Sequence, residues 1–220
     1  MYSLALAVKN MSNSVIEEIS EFWLGPSLMG PAAAAGRRDW WYHGGPEVDE
    51  EIGKRFGGLV VEACNENLLD WCQTSEGSFA LILLLDQFTR NLYRNTQDAY
   101  RGDVLAFKTV TEAVANSLDR PLHPVQRIWL YHPFHHSENP AEQDRGINLL
   151  HEVRNDAPEE WHSYIERSIT GWSRHRDIVA RFGRFPHRNH VLGRESTAEE
   201  LAYLKTDGQS FGQGPQRVND

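Results

Sequence analysis

The residues with the most chemistry in this chain fall into three clusters. Asp86, Gln87, Arg90, Asn91 and Arg94 are spaced so that, on a helix, Asp86, Arg90 and Arg94 share one face at i, i+4 and i+8, with Gln87 and Asn91 beside them. A carboxylate flanked by guanidinium groups suits acid–base chemistry and anion binding, and it equally suits an ion-pair network that locks helices together. In the second cluster His132, His135, His136 and Glu138 have the residue types of a metal site. Pro133 interrupts the helix that would set the histidine spacing, no His-Glu-x-x-His pattern is present, and neither cysteine is near in sequence, so no metal and no cofactor are expected.

The third cluster runs through Arg174, His175, Arg176, Asp177, Arg181, Arg184, His187, Arg188, Asn189 and Arg194. A guanidinium fork binds carboxylate or phosphate through two charge-assisted hydrogen bonds, so this stretch suits an anion. Against that, Arg outnumbers Lys 18 to 4 over the whole chain, and Arg near a helix C-terminus is favoured by the macrodipole. His175-Arg176-Asp177 has the form of a kinase catalytic loop, but no Gly-rich phosphate loop, no Asp-Phe-Gly and no strand for an ATP lysine accompany it.

The elements that must position these clusters read as helices throughout. Ser14-Val15-Ile16-Glu17 has the form of a capping box for a first helix, which Gly25-Pro26 stops. Residues 25–45, rich in Gly and Pro, predict a long loop pinned to the core by Trp40, Trp41 and Tyr42. Pro46 opens a second helix, reaching Asn65. Thr74 caps a third, whose centre from Phe79 to Leu85 is apolar on every face and must be buried all round. Further helices are expected after Thr96, over Val125 to Tyr131, from Asn139-Pro140, from Pro158 to Phe182 with Gly183 at C′, and after Thr197. No segment alternates as a strand does, so the fold class is all-α: an antiparallel bundle of about seven or eight helices. Residues 1–13 are expected to be an N-terminal extension, with Met11 an alternative start to Met1, 14–206 a single helical domain, and 207–220 a mobile tail.

From about Val15 to Phe211 the chain resembles the bacterial proteins catalogued as domain of unknown function 924. The resemblance rests on Phe22-Trp23, on Leu84-Leu85-Asp86-Gln87-Phe88 with Arg90-Asn91, and on Pro133 with His136-Ser137-Glu138. Its longest stretches are His175-Arg176-Asp177-Ile178, Arg181 to Asn189, and Leu192-Gly193-Arg194. It implies a tetratricopeptide-like fold and brings no reaction or ligand with it. Thr89 and Asn95 stand where that pattern has Pro and Gly, and His132 and His135 where it has other residue types.

Composition narrows the partners. The 31 acidic residues outnumber the 22 Lys and Arg, giving a formal net charge of -9, the wrong balance for a protein that holds nucleic acid through many phosphate contacts. The longest apolar run, Phe79 to Leu85, is far short of the roughly 20 residues that cross a bilayer. Cys64 and Cys72 make no disulfide framework, which points to the cytoplasm. Two functions fit. One is a small anionic ligand, phosphate or carboxylate, in a pocket lined by Asp86, Gln87, Arg90, Asn91, His136, Glu138, His175, Asp177, Arg181, Arg184, His187, Arg188 and Asn189; the other is a helical scaffold holding a protein or peptide partner in an inter-helix groove. Whether the chain is an enzyme is left open.

Overall fold

The computed structural model describes residues 2–206, with side chains from 12 to 205; the tail expected over 207–220 lies outside them. Among the described residues all regular structure is helical. The chain opens with α1 (Tyr2–Leu24), a 3₁₀ turn over Gly25–Met29, α2 (Pro31–His43) and α3 (Gly45–Cys64). Ser14 lies inside α1 and does not cap it: the Leu4-Ala5-Leu6-Ala7 stretch before it is made of strong helix formers. Residues 31–43, expected as loop, also form a helix. Pro31 starts it in the first turn, where a missing N–H costs nothing, and Ala32 to Ala35 carry it past the glycines. Trp41 is buried, its Nε1 donating to the Trp23 carbonyl at 2.8 Å, so the expected pinning of this segment to the core holds for that ring.

The centre of the fold is a continuous helical rod of α4 (Ser75–Ile82), a π-helical turn (Leu83–Phe88) and α5 (Thr89–Leu92). Every residue from 77 to 89 is buried, as an all-round apolar helix requires. Thr74 caps the rod, its Oγ1 accepting from the Gly77 N–H at 3.0 Å. Thr74→Ala is expected to cost about 1 kcal/mol. For a chain of this size that lowers the melting point by about 2–4 °C, readable by circular dichroism.

Where the π turn ends, side chains take up its loosened carbonyls. Thr89 Oγ1 donates to Leu85 O at 2.8 Å and Arg90 Nη1 to Asp86 O at 2.7 Å. Gly102 fits there because a Cβ would sit 2.2 Å from Leu85 O. That close approach delivers Asp103, the next residue, to the Arg90 guanidinium at 2.9 Å.

The remaining helices are α6 (Asp103–Ala115), α7 (Pro124–Leu130), α8 (His132–His136), α9 (Pro140–Asp156), α10 (His162–Phe182) and α11 (Ala198–Thr206). Two neighbouring pairs, α3 with the end of the rod and α9 with α10, run antiparallel. Asp49 of α3 meets Asn91 and Arg94 while Phe56 meets Phe88, and Asp144 of α9 meets Arg176 while Arg154 meets Glu166. The helix expected from Asn139-Pro140 is capped by the Asn139 side chain, Thr197 and Glu200 cap α11, and Gly183 stands at C′ as expected, its φ of 70° being the left-handed geometry glycine favours. Edge-to-face aromatic pairs tie the first helices to α7, with Trp129 lying 5.0 Å from Trp23 and 4.9 Å from Trp41. Among the described residues no helix is long and apolar enough to cross a membrane.

Candidate functional site

A cleft of about 620 Å³ opens between α2, the end of the rod, α7–α8, α10 and the 3₁₀ turn Pro186–Arg188. Its floor grows out of the core. Trp129, fixed by its tryptophan neighbours, stacks on His132 at 4.2 Å and 11°, and Trp172 of α10 stacks on His135 at 4.6 Å and 12°. His175 lies 4.0 Å from His135, and Phe185 6.0 Å from His175. Pro133, expected to interrupt the histidine spacing, instead occupies the first turn of α8, so His132, His135 and His136 share one helix face. Because these rings stack on tryptophans and on one another, their nitrogens do not converge. Among the described residues no group of three His, Cys, Asp or Glu is placed to hold a metal ion.

Burial sets the charge state of these rings. It pulls His132 and His175 down to about 4, against a carboxylate at Asp86 and carbonyl acceptors that work the other way. His135, His136 and His187 are pushed well below the ordinary histidine value, again by burial first and then by neighbouring imidazoles and by Arg90 and Arg188. All five are therefore neutral at pH 7.

Asp86, fully buried in the π turn, is the polar hub. It accepts from His136 Nδ1 at 2.7 Å, from Gln87 Nε2 at 2.5 Å and from Arg90 Nη1 at 3.0 Å. A carboxylate so engaged only accepts, so Nδ1 of His136 carries the proton and Nε2 the lone pair.

Arg188 differs from the other buried cations. Only 6% exposed, it makes no ion pair with any described carboxylate; its guanidinium lies 4.4 Å from the Phe185 ring centre and 5.0 Å from that of Tyr100, and its Nε has no hydrogen-bond partner. Burial lowers its proton affinity, with Asp103 opposing, yet an arginine does not shed its proton in a protein.

The expected site residues divide. Gln87, Arg90, Asn91, His136, His175, His187 and Arg188 line the cleft, and Asp86 stands directly behind His136. The others bond elsewhere. Glu138 takes Arg194 at 2.6 Å and the Phe185 N–H at 2.8 Å; Arg184 and Asn189 both bond Glu200; Arg181 pairs with Glu199; exposed Asp177 pairs with Arg176. The first three form a clasp that holds residues 184–200 against the end of α8, which is how the Arg188 turn is presented to the cleft. Sequence reasoning missed Trp129, Trp172, Tyr100 and Arg38, which also line it. One signal was available: Trp172-x-x-His175 has a spacing that puts an indole and an imidazole on one face of α10.

Residues 19–208 match the family model described as a bacterial protein of unknown function, DUF924. The solved structure of a protein of unknown function from Agrobacterium tumefaciens is similar, with 33% sequence identity and a TM-score of 0.74 over 88% of this chain and 98% of that one. No curated protein matches the chain. With a family model matched over most of its length and a third of its residues shared with a similar fold, the chain belongs to the bacterial DUF924 family.

Proposed function

We propose that the cleft binds a small organic anion through a phosphate or carboxylate group. The observation that carries this reading is Arg188, a guanidinium taken out of water with no carboxylate of its own. A buried cation left so costs stability unless something supplies the opposite charge, and a ligand anion is the missing partner. The cleft volume falls in the roughly 300–1,000 Å³ range of small-molecule sites, and its aromatic walls provide area for the uncharged part of such a ligand. A peptide-docking groove would draw on apolar side chains, whereas this one is rich in arginine and imidazole. Two free cysteines and the acidic balance fit the cytoplasm and a partner that is neither nucleic acid nor membrane.

A thermal-shift screen over inorganic phosphate, sugar phosphates, nucleotides and dicarboxylates tests this. A ligand at 100 times its Kd adds about 2.7 kcal/mol, which at about 2–4 °C per kcal/mol raises the melting point by about 5–10 °C. Arg188→Met is expected to abolish that rise and, by removing an unpaired buried charge, to leave the unliganded protein at least as stable as before. A panel without response, or an Arg188→Met protein that still responds, overturns the reading.

A further inference from the structure

Holding an anion on Arg188 leaves the Asp86–His136 pair without a task. Among the buried imidazoles that line the cleft, His136 has the carboxylate of Asp86 behind it, whereas His132 and His175 have Nδ1 on the carbonyls of Ile128 and Gly171 and His135 Nδ1 has no partner. With Asp86 on Nδ1, the lone pair of His136 sits on Nε2, on the far side of the ring, where no described group bonds it. The side chain is 18% exposed and lines the cleft. Arg188 lines the same cleft. A neutral imidazole whose protonated form a buried carboxylate stabilises is the arrangement general-base catalysis uses.

We propose that the cleft is a proton-transfer catalytic site: His136 Nε2 takes a proton from an O–H or C–H of an organic anion whose phosphate or carboxylate rests on Arg188, and Asp86 is the positioning residue. This rests on the anion-binding reading above. In the step an N–H bond forms at Nε2, the substrate's O–H or C–H bond breaks, and the electron pair stays on the substrate. The imidazolium charge is met by Asp86, and return of the proton to the product restores the site without any oxidant or reductant.

Bromoacetate, 3-bromopropionate and 4-bromobutyrate, each beside its uncharged amide, test the juxtaposition directly. Nε2 displaces bromide, a C–N bond forms, and the Nδ1 proton passes to solvent. Labelling is located by peptide mass spectrometry, and each rate is divided by that of N-acetylhistidine with the same reagent. At least one acid is expected to label His136 about tenfold or more faster than its amide, the preference a charge-assisted pair provides. Arg188→Met is expected to remove that preference, and His136→Gln the label. Equal rates for every acid and amide overturn the proposal, and so does an unlabelled His136. The failures are separable: an anion panel that responds beside an unlabelled His136 sinks proton transfer alone, while equal rates with an unresponsive panel sink anion binding as well.

Discussion

Lowering the pH from 7 towards 4 is expected to unfold the protein. His132 and His175 titrate at about 4 in the folded chain, against 6.5 for a free histidine, because burial disfavours the charged ring. The unfolded state therefore binds these protons first. The resulting stability is complete above about pH 6.5 and is lost as the pH falls through 4. A difference of about 2.5 pH units at about 1.36 kcal/mol each makes about 3.4 kcal/mol per ring and about 7 for the two, comparable with the whole stability of an ordinary domain, about 5–15 kcal/mol. His135, His136 and His187 are shifted in the same direction and add to the loss. Urea unfolding at pH 7, 6 and 5 should show stability falling by at least about 2 kcal/mol per pH unit near pH 5, where two or more protons are taken up on unfolding. A stability that stays flat from pH 7 to 5 would rule out neutral buried imidazoles.

Asp86→Ala has the next largest expected effect, a loss of about 3–5 kcal/mol in urea unfolding at pH 7. The alanine would leave His136 Nδ1–H and the Gln87 amide without their acceptor and would take from Arg90 one of its two carboxylates. Asp103 stays beside Arg90, so the loss stops short of exposing a wholly unpaired guanidinium. Asp86→Asn keeps an acceptor for His136 and should lose less. A cost below about 1 kcal/mol for Asp86→Ala would mean that the cluster is anchored elsewhere.

The parts of this fold that could be read from the sequence are those whose cause is local. Thr74, Asn139, Thr197 and Gly183 act on backbone groups within a turn of themselves, and the run from Phe79 to Leu85 needs no periodicity to declare itself buried. Helix α2 was hidden because glycine and proline argue for a loop wherever they occur, whereas here Pro31 sits where a helix tolerates it and Trp41 has a core to bury into. Site membership was the least legible. Arg181, Arg184 and Arg188 lie within eight residues, and nothing local says that the first two meet Glu199 and Glu200 of α11 while the third turns into the cleft. That outcome is decided by the turn at Pro186–Arg188 and by the Glu138–Arg194 clasp, both of which depend on contacts distant in sequence. The stripe of Asp86, Arg90 and Arg94 came apart for a similar reason, with Arg94 drawn to Asp49 of α3.

The π turn makes the central rod a device with a phase. Each residue of an α-helix advances the helix face by about 100°, and a π turn accommodates one residue more without carrying the rest of the face round with it. Apolar face and polar face are thereby set by two registers joined at Leu83–Phe88, and the length of that joint is as much a part of the site as any side chain. A chain shortened there by one leucine would keep its charge and every named polar group, yet turn Arg90 away from Asp103 and Asp86 away from His136. The site is thus encoded in a count of residues as well as in their types, and it is to insertions and deletions in this stretch that the architecture is least forgiving.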